Sequence, residues 1–108
     1  MEKKLHMLHA EVCKTLASPT RIEILHLLRN GEKSVGELAN LMGVAQANTS
    51  QHLAILRQRG IVNTRKEGTM VYYGIANPKI IKAFNLLREV LLERMNDDAD
   101  LVKQVVRR

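Results

Sequence analysis

Residues 38–75 read LANLMGVAQANTSQHLAILRQRGIVNTRKEGTMVYYGI, and this stretch decides the fold. It predicts a short helix, a tight turn at Gly43, a second helix from about Gln46 to Arg59, and then a β-hairpin. Two helices joined by a short turn that contains a glycine form a helix-turn-helix, whose second helix is shaped to enter the major groove of DNA. The hairpin would stand beside it as a basic wing, with Arg65 and Lys66 close to its tip.

The composition favours a small folded domain with a polyanionic partner. The chain has 108 residues, of which 45% are hydrophobic, and this suits a single domain with an aliphatic core. Its net charge of +6 favours double-stranded DNA as the partner. Only Tyr72, Tyr73 and Phe84 are aromatic, which disfavours the binding of single strands by base stacking.

The location expected from the sequence is the cytoplasm. No apolar run has the length of a membrane span, so we expect no membrane contact, and no hydrophobic signal region follows the charged residues at the start. The single cysteine, Cys13, excludes an intrachain disulfide and the tetracysteine zinc patterns.

Four helices are expected before the hairpin and one after it. The first covers residues 3–17, where leucines and a valine recur at spacings of three and four. Ser18 and Pro19 are a plausible cap and first residue of the second helix, which is expected to end at Asn30-Gly31. Ser34 and Glu37 form a capping box at the start of the third.

The fifth helix is expected from Lys79 to about Met95. Residues 1–95 would then form the DNA-binding and dimerisation domain, and residues 96–108 a charged tail or helical extension. In the hairpin, Glu67-Gly68 is the expected two-residue turn. That register pairs Thr64 with Val71 and Val62 with Tyr73, and it buries Val62, Val71, Tyr73 and Ile75 while Arg65 lies on the opposite face.

The last helix is apolar on more sides than a small domain can cover. One apolar stripe runs along this helix, and neighbouring apolar residues widen it. The whole apolar set is Ile80, Ile81, Ala83, Phe84, Leu86, Leu87, Val90, Leu91 and Met95. A symmetric homodimer through the first and last helices would bury this surface, and two half-sites on DNA also favour a dimer. The alternative is that the same residues form the core of a single chain.

The segments LASPTR (16–21) and SQHLAILRQRGIV (50–62), followed by a basic hairpin, resemble the ArsR/SmtB family of winged-helix repressors. The resemblance extends from residue 5 to about residue 95. It implies a mostly α-helical winged helix-turn-helix with the element order α-α-α-α-β-β-α and a β-hairpin wing. It also implies a homodimer that represses an operator until an inducer loosens it.

The sequence departs from the family at its metal sites. Many members carry Cys-x-Cys at the start of the third helix, where this chain has Ser34 and Gly36, and neither residue supplies a thiolate. A second family site uses Asp and His of the last helix, but no histidine follows His52. We therefore expect no metal at these two places and no cofactor, and the inducer is not specified.

One further cluster leaves alternatives open. His6, His9 and Cys13 are spaced by three and four on one helix, and such ligand types suit zinc or nickel, with a partner subunit completing the site. Equally, Cys13 is a small hydrophobic residue, or a thiol that oxidises or bridges two subunits.

Eight residues are candidates for DNA contact. Asn and Gln side chains pair bidentately with adenine, which makes the outward polar residues of the second helix of the motif candidates for base contacts. Basic residues contact phosphates, and His52 fits either a phosphate or the seam beside Leu53 and Leu56. The set is Gln46, Asn48, Ser50, Gln51, His52, Arg57, Arg65 and Lys66.

Two other function classes are alternatives to sequence-specific DNA binding. A winged-helix module could instead dock on an acidic protein partner, but the small polar residues on the outward face of the helix suit a DNA groove better. The chain has no zinc-protease motif, no glycine-rich phosphate loop and no nucleophile elbow, so an enzyme is not expected.

Overall fold

The structure is a computed structural model that describes residues 1–97 and 99–106. It has two compact units, Met1–Asn77 and a second that begins at Pro78. The elements are α1 (Glu2–Thr15), α2 (Pro19–Leu27), β1 (Lys33–Ser34), α3 (Val35–Met42), α4 (Gln46–Gln58), β2 (Val62–Glu67), β3 (Met70–Ile75), α5 (Pro78–Asn96) and α6 (Ala99–Val106).

The start of α2 confirms the expected cap, but its end does not match the prediction. The Ser18 hydroxyl accepts a hydrogen bond from the backbone N–H of Arg21 at 3.4 Å, and Pro19 is the first helical residue. The helix ends at Leu27 rather than at Asn30-Gly31. Residues 28–30 form a turn that is closed by a hydrogen bond from the Gly31 N–H to the Leu28 carbonyl at 3.2 Å.

Helix α3 is defined at both ends by its own sequence. Ser34 and Glu37 form the predicted capping box, with reciprocal hydrogen bonds of 3.2 and 3.1 Å. At the other end Gly43 has φ +67°, a left-handed conformation that glycine adopts without steric cost. The chain thereby leaves α3 and reaches α4 after only Val44 and Ala45.

The sheet has three strands in the order β1-β3-β2 within the described residues. Strand β1 was not predicted, and it pairs antiparallel with β3 through Lys33 opposite Tyr73. The predicted hairpin register is wrong by two residues, because Thr64 lies opposite Tyr73 and Val62 opposite Ile75. The turn is Gly68-Thr69, and positive φ at Gly68 alone is typical of a type II′ turn.

The predicted division between the two faces of the hairpin is confirmed, because a shift of two residues keeps every side chain on its own face. Val62 is buried, its face-mates on β3 are half-buried, and Arg65 lies on the opposite, outer face.

The core of the first unit consists of aliphatic side chains from α2, α3, α4 and the start of β2. Helices α2 and α4 each contribute two of their apolar residues, and the turn after α2 contributes one more. The buried hydrophobic residues are Ile24, Leu25, Leu28, Leu38, Ala39, Leu53, Leu56, Ile61 and Val62. Helices α2 and α3 and strand β2 all pack against α4, so this core fixes the orientation of α4.

The second unit contains α5 and α6. Within α5 no residue is buried, and its leucines and valine at positions 86, 87, 90, 91 and 92 are 47–64% exposed. Helix α6 lies in the segment predicted as a tail or helical extension, 96–108, of which Asp98, Arg107 and Arg108 lie outside the described residues. None of the described helices has the length and apolar character that crossing a bilayer requires.

We expect Gly43→Ala to lower the free energy of unfolding by about 1 kcal/mol, because a Cβ is strained at positive φ even in open space. Gly36→Ala is the matched control: it lies inside α3, and its new Cβ would lie at ordinary contact distance, 3.8 Å, from Gln46 Oε1. The control should raise stability by about 0.5 kcal/mol. Urea denaturation at one fixed protein concentration measures both, and equal effects would contradict the left-handed turn.

Candidate nucleic-acid interface

The buried side of α4 determines which of its residues face outward. Thr49, Leu53 and Leu56 recur at spacings of four and three, and all three are fully buried. Thr49 is polar, but its hydroxyl donates to the Ala45 carbonyl at 3.2 Å and is therefore satisfied. Because this side of α4 is packed against the core, the helix cannot rotate about its axis. Its opposite side is therefore held toward solvent.

All four predicted base-contact residues are exposed on α4. Gln51 lies directly opposite the buried stripe, Gln46 and Ser50 lie on one flank, and Asn48 lies on the other. Ala47 and Ala54 are exposed between these polar residues. Their short side chains leave room for a base edge to approach the polar residues closely.

The sequence reasoning missed Gln58 on this face. It is exposed and lies two turns beyond Gln51 along the helix, so the seven-residue spacing alone could have identified it. Ala45, the N-cap residue of α4, provides no side-chain hydrogen bond to the start of the helix. The Gln46 side chain lies near the start of α3, with its Oε1 close to Gly36.

His52 is connected to two other helices through Arg21. The Arg21 Nε–H donates to His52 Nδ1 at 3.2 Å, and the Arg21 Nη1–H donates to the Thr15 carbonyl at 2.8 Å. An Nδ1 that accepts a hydrogen bond leaves the ring proton of neutral imidazole on Nε2, where it is available to a phosphate. His52 is half-buried beside Arg21 and keeps its Nε2–H as a donor. Arg21 was missed in the sequence reasoning because it lies 31 residues away.

The wing arginine is the most constrained of the candidate phosphate contacts. Arg65 Nε donates to Glu32 at 2.9 Å and Nη1 donates to Glu67 at 2.7 Å, and the guanidinium lies 5.0 Å from the centre of the Tyr72 ring. The hydrogen bond to Glu67 and, to a smaller extent, the hydrogen bond to Glu32 raise the pKa of the Arg65 guanidinium. Both carboxylates and the ring were missed in the sequence reasoning.

Arg57 and Lys66 are exposed, as a phosphate contact requires. Lys66 lies on the face of the hairpin that carries Thr64 and Val71, so it does not share the outer face with Arg65. The two basic residues near the wing tip therefore point to opposite sides of the sheet.

The alternative metal cluster lies on α1. His6, His9 and Cys13 are all exposed there. Within residues 1–97 and 99–106 of one chain, no group of three His, Cys, Asp or Glu side chains is placed to hold a metal ion. A site shared between two subunits, and a thiol role for Cys13, stay predictions.

A short first strand, a helix-turn-helix and a β-hairpin define this chain as a winged helix-turn-helix protein. Residues 18–64 match the model of the bacterial regulatory proteins of the arsR family. Together with the relatives described next, this shows that the chain belongs to the arsR family, whose members are regulatory proteins rather than enzymes.

The relatives are similar over most of their length. The HTH-type transcriptional regulator Rv0081 of Mycobacterium tuberculosis is 43% identical over 86% of this chain and 82% of its own, and its crystal structure has a TM-score of 0.78. The biofilm growth-associated repressor of Xylella fastidiosa is 38% identical over 81% of this chain and 75% of its own. The homodimeric winged helix-turn-helix DNA-binding domain Mb0332 of Mycobacterium bovis is 34% identical, covers 89% of each chain and has a TM-score of 0.81.

We expect Arg21→Met and His52→Leu each to destabilise the fold, with a coupling of about 1 kcal/mol in a double-mutant cycle, because they remove the same hydrogen bond. His52→Asn, which keeps an acceptor, should retain part of the coupling. Arg29→Met is the control: Arg29 donates an exposed hydrogen bond to the His26 carbonyl, and the loss of this bond should cost less than about 0.5 kcal/mol. Additive effects of Arg21→Met and His52→Leu would show that the bond does not form in solution.

Proposed function

We propose that this protein is a homodimeric transcriptional repressor that binds an inverted-repeat operator in duplex DNA. The observation that carries the proposal is the exposed polar face of α4, which the buried stripe of Thr49, Leu53 and Leu56 holds outward. The relatives, among them a named repressor and a homodimeric DNA-binding domain, support it. The net charge of +6 supplies the long-range attraction to DNA.

The proposed roles follow from position. Gln46, Asn48, Ser50 and Gln51 would contact base edges in the major groove, where Asn and Gln pair with adenine. The proposed phosphate contacts are His52, Arg57, Arg65 and Lys66, and they would position α4 without reading the sequence. Gln58 joins the first group, since it lies on the same face as Gln51.

The proposed dimer would cover the apolar faces that each unit exposes by itself. On α1, Leu5, Leu8 and Val12 are exposed, although they form a regular stripe. On α5, five large aliphatic side chains are about half exposed. Exposed apolar patches of this kind mark interaction surfaces, and a twofold axis would also present two copies of α4 to two half-sites.

We also propose that the signal for release is not a metal at the family's α3 position. Ser34 is buried, and its hydroxyl and backbone N–H are both used by the capping box with Glu37. A residue that closes the helix start in this way, and carries no thiolate, is unsuited to hold a soft metal ion. The chemical class of the inducer is left to experiment.

The proposal is tested with a duplex that the wild-type protein selects from a randomised pool. Gln51→Ala should cost about 1–3 kcal/mol of binding free energy and relax the preference at one base position. Arg57→Gln should weaken binding to every sequence and lower the salt slope by about one. Footprinting should show two protected half-sites about one helical turn apart.

The control is Lys82→Gln, which removes the same formal charge from an exposed position on α5. Wild-type affinity should fall at least about a hundredfold when salt rises from about 50 to about 200 mM. A pool without any enriched sequence, or an affinity that ignores salt, would contradict DNA binding by this face. Repression is tested separately, by expression of a reporter placed behind the selected sequence.

We expect the double substitution Leu87→Glu with Leu91→Glu to yield monomers, because it places two charges on one exposed apolar stripe of α5. Affinity for the selected duplex should fall by about tenfold or more as the second half-site is lost. Leu41→Glu is the control, since Leu41 is an exposed leucine of α3 outside the proposed interface. Sedimentation velocity measures the assembly, and a variant that stays dimeric would exclude α5 from the interface.

A further inference from the structure

The outer face of the wing carries a small ionic cluster around Arg65. Glu32 and Glu67 each accept one hydrogen bond from its guanidinium, and the Tyr72 ring lies beneath it. The three charged side chains are 40–68% exposed, so water and solutes reach the cluster. The cluster thus joins two residues of β2, one residue of β3 and the residue that immediately precedes β1.

The position of Glu32 is set by the sheet. It immediately precedes β1, whose Lys33 pairs with Tyr73, and its side chain crosses β3 above Gly74. A Cβ at Gly74 would lie only 3.3 Å from Glu32 Cγ, so the absence of a side chain there leaves the passage open. Glu67 is placed by β2 itself, two residues beyond Arg65 on the same face.

The two carboxylates of this cluster accept hydrogen bonds from the same Arg65 N–H groups that would donate to a DNA phosphate. A guanidinium binds phosphate and carboxylate in the same planar, bidentate manner, and two of its edges here already face carboxylates. On the outer face of the wing, the positive charge of Arg65 is opposed by the carboxylates of Glu32 and Glu67, while Lys66 lies on the other face.

We propose that Glu32 and Glu67 compete with DNA phosphate for Arg65 and thereby weaken non-specific binding by the wing. Arg65 reaches a phosphate only by leaving its two carboxylates, which occupy the donors that the phosphate would use. The wing therefore contributes little binding free energy on random-sequence DNA, where α4 makes no base contacts that hold the complex together. On a cognate site α4 holds the wing against the backbone, and the exchange of partners becomes favourable. This inference rests on the proposed function and adds a source of specificity to it.

The test is the double variant Glu32→Gln with Glu67→Gln, measured by fluorescence anisotropy at several salt concentrations. One probe is the duplex selected by the wild-type protein, and the other is a random-sequence duplex of equal length. We expect binding to random DNA to tighten by about three- to tenfold, the salt slope to rise by about one, and the ratio of specific to non-specific affinity to fall. Thermal unfolding confirms that the variant is folded.

Two controls separate this inference from a general change of charge. Glu23→Gln removes an exposed carboxylate from α2 and should leave random-DNA affinity within about twofold. In an Arg65→Met background the two glutamines should bring no further gain, because their effect acts through Arg65.

Three results would overturn the inference: no tightening, tightening that persists in the Arg65→Met background, or tightening matched by Glu23→Gln. Each of these leaves wild-type binding to the selected duplex intact, so the proposed function survives. If the wild-type protein selects no duplex at all, the proposed function fails and this inference fails with it.

Discussion

The burial of one stripe of α4 is the constraint on which the other features of the first unit depend. Thr49, Leu53 and Leu56 are fully buried against a core built from α2, α3 and the start of β2. Full burial of a leucine contributes about 2 kcal/mol or more, so a rotation that exposed two of them would cost more than any polar contact on the outer face returns. The outward display of Gln46, Ser50 and Gln51 is therefore a consequence of packing on the other side of the same helix.

The features that the sequence predicted correctly are those specified locally. The capping box of Ser34 and Glu37 and the tight turn at Gly43 each depend on residues within about one turn of one another. The division of the hairpin into two faces also followed, because it depends only on alternation. The register did not follow: Glu67-Gly68 and Gly68-Thr69 are both two-residue turns, and only the positive φ at the first central position distinguishes them.

The features that the sequence could not predict depend on distant pairing. Strand β1 is two residues long, too short for any periodic pattern, and it exists because Lys33 and Ser34 pair with β3. Its formation carries Glu32 to Arg65, 33 residues away, and so places a carboxylate beside the arginine of the predicted basic wing. Arg21 and His52 are likewise 31 residues apart. In each pair the sequence identified one side chain, Arg65 or His52, as a candidate contact, but the fold determined its partner.

Helix α1 shows why association belongs to the account of the fold. Its only buried residue is Thr15, at its last position, while Leu5, Leu8 and Val12 are exposed. Two polar contacts join it to other parts of its unit: the Thr15 carbonyl accepts from Arg21, and Glu11 lies 3.7 Å from Arg59 in an exposed ion pair. Such contacts contribute about 1 kcal/mol each, less than the burial of one leucine. In the proposed dimer a partner would cover this apolar stripe, and the stability of α1 would then be coupled to dimer formation.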